Sequence, residues 1–358
     1  MRISIAMATY RGEAFIRDQL DSIAKQTLLP DELVITDDSP DNRTARVVRE
    51  FAASAPFPVR LYRNAERAGH PENFFRAISL CEGELIAFAD QDDVWLPEKL
   101  ERMRAAFDDP SVTLVTHTVA VVDTTLNPKP DRDDRHWSLR GTYAPLTTDP
   151  WYILFGMSAM VRADLFRMTS LAFRPADHTR NDILLSHDLF AWFMATSLGT
   201  IVALPDRLVL YRQHDANTAG APPTLSIGDK LRWALRAGRV VYANMAAMAR
   251  DRAKVLEQVT DARYTEAARR AQEYYEKLQR AYELRAMLYD PALSRGERSR
   301  TLLRLVARAS YRPVVQGGLG RRALVKDLYV TLTNAAHGGV MNYRDHRADA
   351  AEQKALTE

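Results

Sequence analysis

Residues 85–95 read Leu85-Ile86-Ala87-Phe88-Ala89-Asp90-Gln91-Asp92-Asp93-Val94-Trp95, an apolar run followed at once by three acids. A run this short and this apolar reads as a strand buried on both faces, as in sheets covered by helices on each side. Asp90 and Asp92, at i and i+2 straight after the strand, suit a hard divalent cation, Mg2+ or Mn2+. Such ions take oxygen ligands and bind through a few carboxylates together with substrate phosphates. Outward from this stretch, Ile3–Ala8, Leu33–Thr36 and Val59–Tyr62 are further short apolar runs. Between the runs, Ile16, Leu20 and Ile23 recur at helical spacing, Thr44–Ala52 reads as a helix, and Asn73–Cys81 as another that stops at Gly83.

This alternation predicts an α/β fold with a Rossmann-like, mainly parallel sheet flanked by helices. Ligands of such sheets bind outside the carboxyl ends of the strands. Those ends here carry Thr9, Asp37 with Asp38, and Asp90 with Asp92 and Asp93. Further on, the pattern predicts a helix over Glu98–Phe107 and a strand over Thr113–Val122. Asp123–Pro150, rich in Pro, Asp and Thr, reads as a long loop. Ile153–Met160, a helix near Ala163–Met168, a helix from about Asp188, and two strands at Thr200–Ala203 and Leu208–Arg212 complete the region, which closes on Tyr211-Arg212-Gln213-His214.

Two chemistries place a D-x-D after a strand. Asp90-Gln91-Asp92-Asp93-Val94 fits the pattern of haloacid-dehalogenase-type phosphatases, in which Asp90 would be a nucleophile. That motif normally sits on the first strand of its fold, whereas three strands precede it here. In glycosyltransferases of the GT-A fold, the same pattern holds the metal that binds a nucleotide-sugar diphosphate.

Several motifs in register resemble family 2 glycosyltransferases. Ser4-Ile5-Ala6-Met7-Ala8-Thr9-Tyr10 with Gln19-Leu20-Asp21-Ser22-Ile23 is similar to the family's opening, as is Glu32–Asp38 followed by Ser39. Gly69-His70-Pro71-Glu72-Asn73-Phe74 before Asp90–Trp95 resembles the rhamnosyltransferase subgroup, and Ser186-His187-Asp188 and Tyr211–His214 follow in the expected order. The resemblance covers residues 1 to about 220 and implies a GT-A catalytic domain. It implies that Thr9, Asp37 and Asp38 contact the nucleotide base and ribose, that Asp90 lies near the ribose, and that Asp92 is a metal ligand. Asp188 matches the general base of an inverting transfer, Arg212 a diphosphate contact, and His214 a position that completes the metal site, with Asp90 as a further candidate ligand. A turn-capping role for one of Asp37 and Asp38, and a helix-terminal role for Asp188, are the plain structural alternatives. The implied donor is a nucleoside-diphosphate sugar, dTDP- or UDP-linked, with rhamnose the first choice. The implied acceptor is a hydroxyl of a glycan or lipid-linked molecule in bacterial surface polysaccharide synthesis. Gly156–Met160 falls in the acceptor region but departs from the commonest pattern there, and Trp95, Trp137, Trp151 and Trp192 could stack on sugars or fill the core.

Charge divides the chain. The net charge of +3 over 358 residues hides 25 Lys+Arg against 15 Asp+Glu in residues 221–358, a net of +10, and −7 before them. We therefore expect a catalytic domain over 1–220 and a basic, helical domain over 221–358. In the latter, Tyr264, Ala268, Ala271, Tyr275, Leu278 and Tyr282 form an apolar stripe that Arg285 interrupts, a candidate homodimer contact. Lys230–Arg252 and Arg298–Lys326 mix apolar and basic residues, as for docking on an anionic membrane surface. No nucleic-acid-binding module is recognisable. The single Cys81 and the absence of a membrane-spanning run lead us to expect a cytoplasmic protein, at most peripheral on the inner face of the cytoplasmic membrane.

Overall fold

The structure, a computed structural model, describes residues 1–129, 139–177, 183–214, 217 and 238–333. They divide into two compact units. One comprises Met1–Pro145, Tyr152–Thr169 and Ser186–Thr224, and the other Leu146–Trp151, Ser170–Leu185 and Leu225–Glu358.

The first unit is built on strands β1 (Ile3–Thr9), β2 (Glu32–Asp37), β3 (Val59–Arg63), β4 (Leu85–Ala89), β5 (Val94–Trp95), β6 (Val112–Val122), β7 (Gly141–Tyr143), β8 (Ala159–Arg162) and β9 (Thr200–Arg212). Their order in one sheet is β3-β2-β1-β4-β8-β6-β9-β5, with β7 paired to β9. β1 to β4 are parallel to one another, and β6 and β9 point the same way, whereas β5, β7 and β8 run against them. Helices α1 (Ile16–Ala24), α2 (Arg43–Ala52), α3 (His70–Leu80), α4 (Lys99–Ala105) and α5 (His187–Leu198) accompany the sheet. This is the α/β arrangement that the sequence leads one to expect.

Every residue of β1, β2 and β4 is buried, which explains their unbroken apolar runs. Ile5, Met7, Leu33, Ile35, Leu85 and Ala87 share the core with Ile16, Leu20 and Ile23 of α1. Truncating such a side chain to alanine costs about 2–5 kcal/mol. In register, Thr9 pairs with Asp37 and Met7 with Ala89, so the polar ends of β1, β2 and β4 reach one level at one edge of the sheet.

Several boundaries differ from the sequence reading, each for a local reason. α3 begins at His70 with Pro71 in its first turn, where the missing N–H is no loss. It ends through an extended Cys81, not at Gly83. Gly83 instead lets the chain pass β1, since a Cβ there would lie 2.7 Å from the Ser4 amide nitrogen. The stretch around Ile153–Met160 becomes a short 3-10 turn over Gly156–Ser158 followed by β8. The loop expected over 123–150 contains β7, with residues 130–138 outside those described. The two strands expected around Pro205 are one strand, β9, whose register on β6 slips between His117/Leu204 and Thr118/Arg207. That irregularity accommodates a proline, which has no N–H for the ladder.

In the second unit, α6 (Arg239–Leu256), α7 (Thr265–Leu288), α8 (Arg295–Ala307) and α9 (Arg321–Thr333) are described. The stripe of Ala268, Ala271, Tyr275, Leu278 and Tyr282 is buried within this unit, where α7 packs on α6. Arg285 does not break it. The side chain continues the buried face because Asp327 of α9 meets its Nε at 2.9 Å. Nor are all the basic residues superficial. Arg252 is buried, donates to the Pro150 carbonyl at 2.7 Å and lies 4.3 Å from the Trp151 ring centroid. Arg298 is likewise buried and donates to the Asp290 carbonyl. Residues 230–237 of the first basic stretch lie outside the described part. Among the described residues, no helix is long and apolar enough to cross a membrane.

Candidate active site

At the ends of β1 and β2, the Thr9 hydroxyl donates to Asp37 Oδ1 at 2.9 Å, and the Ser39 amide donates to the same oxygen at 3.0 Å. Asp37 Oδ2 is buried and accepts no hydrogen bond, with the Arg63 guanidinium 3.7 Å away. Asp38 is spent differently. It accepts the amides of Ala68 at 3.1 Å and Gly69 at 2.8 Å and the Asn64 side-chain amide, and so fixes the loop before α3. Of the two aspartates, Asp37 keeps one buried oxygen without a hydrogen bond, beside Arg63, and Asp38 is committed to the loop before α3.

The end of β4 concentrates negative charge. Burial, with Asp92 and Asp188 nearby, pushes the Asp90 carboxyl up to about 8. Asp90 follows the fourth strand of the chain and not the first, which is where the phosphatase pattern departs from this fold. Asp93 is fully buried, and that burial raises its pKa well above the carboxylate range. Its Oδ1 accepts the backbone N–H of Arg212 at 3.1 Å, and its Oδ2 accepts no hydrogen bond. Opposite them sits Lys99, also fully buried and pushed well below its usual pKa by burial. Its Nζ donates to the Met157 carbonyl at 2.5 Å and lies 3.8 Å from the Trp95 ring centroid. The sequence reading missed Lys99. Its signal was a lysine in the first turn of a helix, where the macrodipole disfavours a cation.

Asp92 and His214 meet directly, Oδ2 to Nε2 at 2.8 Å, and the Asn217 side-chain amide reaches the same oxygen at 3.3 Å. The His214 ring stacks on Phe15, with centroids 4.8 Å apart. The Arg212 side chain is buried, with its guanidinium 4.6 Å from the centroid of the same Phe15 ring. It donates to Asp18 Oδ2 at 2.8 Å and to the Thr124 carbonyl at 2.9 Å. Asp18 was a second omission, because an isolated acid in the first turn of a helix looks ordinary.

Asp188 lies in the first turn of α5. Its Oδ1 accepts the Ser186 hydroxyl at 2.5 Å and the Leu189 amide at 2.8 Å, and Oδ2 takes part in neither bond. Burial raises its pKa, opposed first by these hydrogen bonds and then by His70. His187 beside it is buried, stacks on Phe74 at 3.7 Å between centroids, and has no hydrogen-bond partner at either ring nitrogen. Gly156 makes room for this ring, since a Cβ there would lie 2.7 Å from His187 Nε2. The Gly156–Met160 segment thus acts here by shape. Trp95 and Trp192 are core residues, Trp151 packs with Arg252 in the second unit, and Trp137 lies outside the described residues.

No group of three or more His, Cys, Asp or Glu side chains among the described residues is set to hold a metal. The donor set nevertheless fits a divalent cation. A carboxylate oxygen and an imidazole nitrogen converge at Asp92 and His214, and a cation beside them would offset the burial and acidic neighbours that raise Asp90.

A mainly parallel sheet with acids at adjacent strand ends is an α/β arrangement whose ligands bind outside the carboxyl ends of the strands. Residues 4–168 match the profile described as Glycosyl transferase family 2. An uncharacterized protein of Mycobacterium tuberculosis is 27% identical over 218 residues, 59% of this chain and 59% of that protein. The dTDP-rhamnosyl transferase RfbG of Shigella flexneri is 34% identical over 99 residues, 26% of this chain and 34% of that protein. A UDP-Glc:alpha-D-GlcNAc-diphosphoundecaprenol beta-1,3-glucosyltransferase, WfgD of Escherichia coli, is 34% identical over 99 residues, 28% of this chain and 38% of that protein. The chain therefore spans less than two thirds of the length of these relatives.

Proposed function

We propose that the chain is an inverting, metal-dependent glycosyltransferase. It moves a sugar, rhamnose in the first instance, from a dTDP- or UDP-linked donor to a hydroxyl of a glycan or lipid-linked acceptor in bacterial surface polysaccharide synthesis. The observation that carries this reading is the meeting of Asp92 Oδ2 and His214 Nε2, 2.8 Å apart just beyond the ends of β4 and β9, in a domain that matches the family 2 profile. The donor and acceptor classes rest on the names of RfbG and WfgD.

In this reading Asp37 Oδ2 accepts the N3–H of a pyrimidine, with Thr9 holding Oδ1 in place and Asp38 shaping the loop alongside. Asp92 and His214, with Asp90 as a further ligand, would hold Mg2+ or Mn2+, whose positive charge would offset that of the departing diphosphate. Arg212 positions the site through its backbone bond to Asp93 and its pairing with Asp18. Asp188 Oδ2 accepts the proton of the acceptor hydroxyl. As it does so, the acceptor oxygen bonds to the anomeric carbon and the bond from that carbon to the diphosphate oxygen breaks on the opposite face.

The test is thermal-shift measurement with nucleoside diphosphates and nucleotide sugars, with and without Mn2+, on the wild type and Asp188→Asn. A pyrimidine diphosphate with Mn2+ should stabilise both proteins. Turnover of Asp188→Asn should fall by about 10²–10⁴-fold. The donor site is wrongly assigned if no pyrimidine diphosphate stabilises the wild type. Unchanged turnover in Asp188→Asn overturns the base. Donor binding without turnover on any acceptor would make the chain a nucleotide-sugar-binding scaffold.

A further inference from the structure

Helix α9 is built inside out. Asp327 is fully buried on its inward face with Ala323, Val330 and Thr331, while Val325, Leu328, Tyr329 and Leu332 stand outward at i, i+3, i+4 and i+7. Val325 is 68% exposed and Leu332 73%. A helix of a globular protein ordinarily turns such a stripe inward. α8, which packs on α9, exposes Leu303 and Val306 as well.

The charges around these residues identify what covers them. Residues 295–333 hold nine Lys+Arg and two Asp+Glu, and of the two acids Asp327 is buried. Arg304, Arg308, Arg312, Arg321 and Arg322 are exposed and form no ion pair with a described residue. Arg321 and Arg322 even occupy the first turn of α9, where a cation opposes the helix dipole. The solvent face of α7 is a contrast within the same unit, because there Arg269, Arg270 and Arg280 each pair with a glutamate one turn away. A second copy apposing the same face would set arginine against arginine. An anionic surface with an apolar interior meets both requirements.

We propose that the outward face of α8 and α9 docks on an anionic lipid bilayer, the apolar side chains entering the acyl boundary and the arginines meeting headgroup phosphates. This surface stands independently of the sugar-transfer reading, although it would bring the chain to lipid-linked acceptors.

The test is co-sedimentation of the full chain with vesicles of phosphatidylcholine alone and of phosphatidylcholine with phosphatidylglycerol. Binding is expected to the anionic vesicles only. At about 1 kcal/mol per arginine, Arg321→Gln/Arg322→Gln should weaken it about 30-fold. Leu328→Ser/Leu332→Ser should abolish it, while turnover on a soluble acceptor stays unchanged in both variants. Equal binding to neutral vesicles, or none to either kind, overturns the proposal. So does a dimer in sedimentation equilibrium that Leu328→Ser/Leu332→Ser dissociates, since a second copy would then cover the face. Loss of turnover in the wild type would count against the sugar-transfer reading alone.

Discussion

Each unit of the chain buries aspartate in a polar cluster, and the two clusters are resolved in opposite ways. In the second unit, Asp327 Oδ1 accepts Arg285 Nε and the Tyr289 hydroxyl, each at 2.9 Å, and Oδ2 accepts the Tyr311 hydroxyl at 2.9 Å. Both oxygens are filled and a guanidinium balances the charge. In the first unit, Asp93 Oδ2 accepts nothing, Lys99 gives its hydrogen bond to a backbone carbonyl, and Asp90 is driven up to about 8 by burial and its acidic neighbours. Buried polar groups are normally satisfied, so a cluster left short of partners and positive charge marks a place where a ligand supplies them. The cluster around Asp327 is architecture, and the one at Asp90 and Asp93 is the candidate site.

The sharpest way to break this contrast is to compare what each cluster contributes to stability. Arg285→Met strands Asp327 without its cation and should destabilise the protein by about 3–5 kcal/mol in chemical denaturation. Asp93→Asn, measured in the same way without added metal, should change stability by less than about 1 kcal/mol, because the charged form is already disfavoured where Asp93 sits. Equal losses in the two variants would mean that both clusters are structural.

The parallel half of the fold was legible because burial on both faces writes continuous apolar runs at β1, β2 and β4, and because their ends are acidic. β8 and β9 were less legible. Antiparallel insertion of a four-residue strand depends on its neighbours, and a proline inside β9 is tolerated only through a register slip on β6. Within the site, types and positions could be read, but partners could not. Asp37 and Asp38 are adjacent and chemically identical, yet the amides of Ala68 and Gly69 engage only Asp38. Arg212 looked like a phosphate contact from its neighbours in sequence, whereas its side chain is occupied by Asp18, nearly two hundred residues earlier. In the second unit, periodicity revealed that helices have faces without saying which face turns inward. Arg285 in a buried stripe and leucines on the outside of α9 both follow from where Asp327 lies.

A smaller effect probes the candidate base without removing it. Asp188 must be ionised to take a proton, and burial raises its pKa, so the acid limb of kcat/KM should lie above the usual carboxylate range and activity should rise with pH through it. The Ser186 hydroxyl opposes that shift by donating to Asp188 Oδ1. A hydrogen bond to a charged group contributes about 1.5 kcal/mol, about one pH unit. Ser186→Ala should therefore move the acid limb to higher pH by about that amount and leave the plateau rate little changed. Its fold should survive, because the Ser186 side chain makes no capping bond to the backbone of α5. A merely structural serine would lower the plateau or the melting temperature and leave the limb where it was. A limb that stays put in Ser186→Ala would transfer the proton-accepting role from Asp188 to another group.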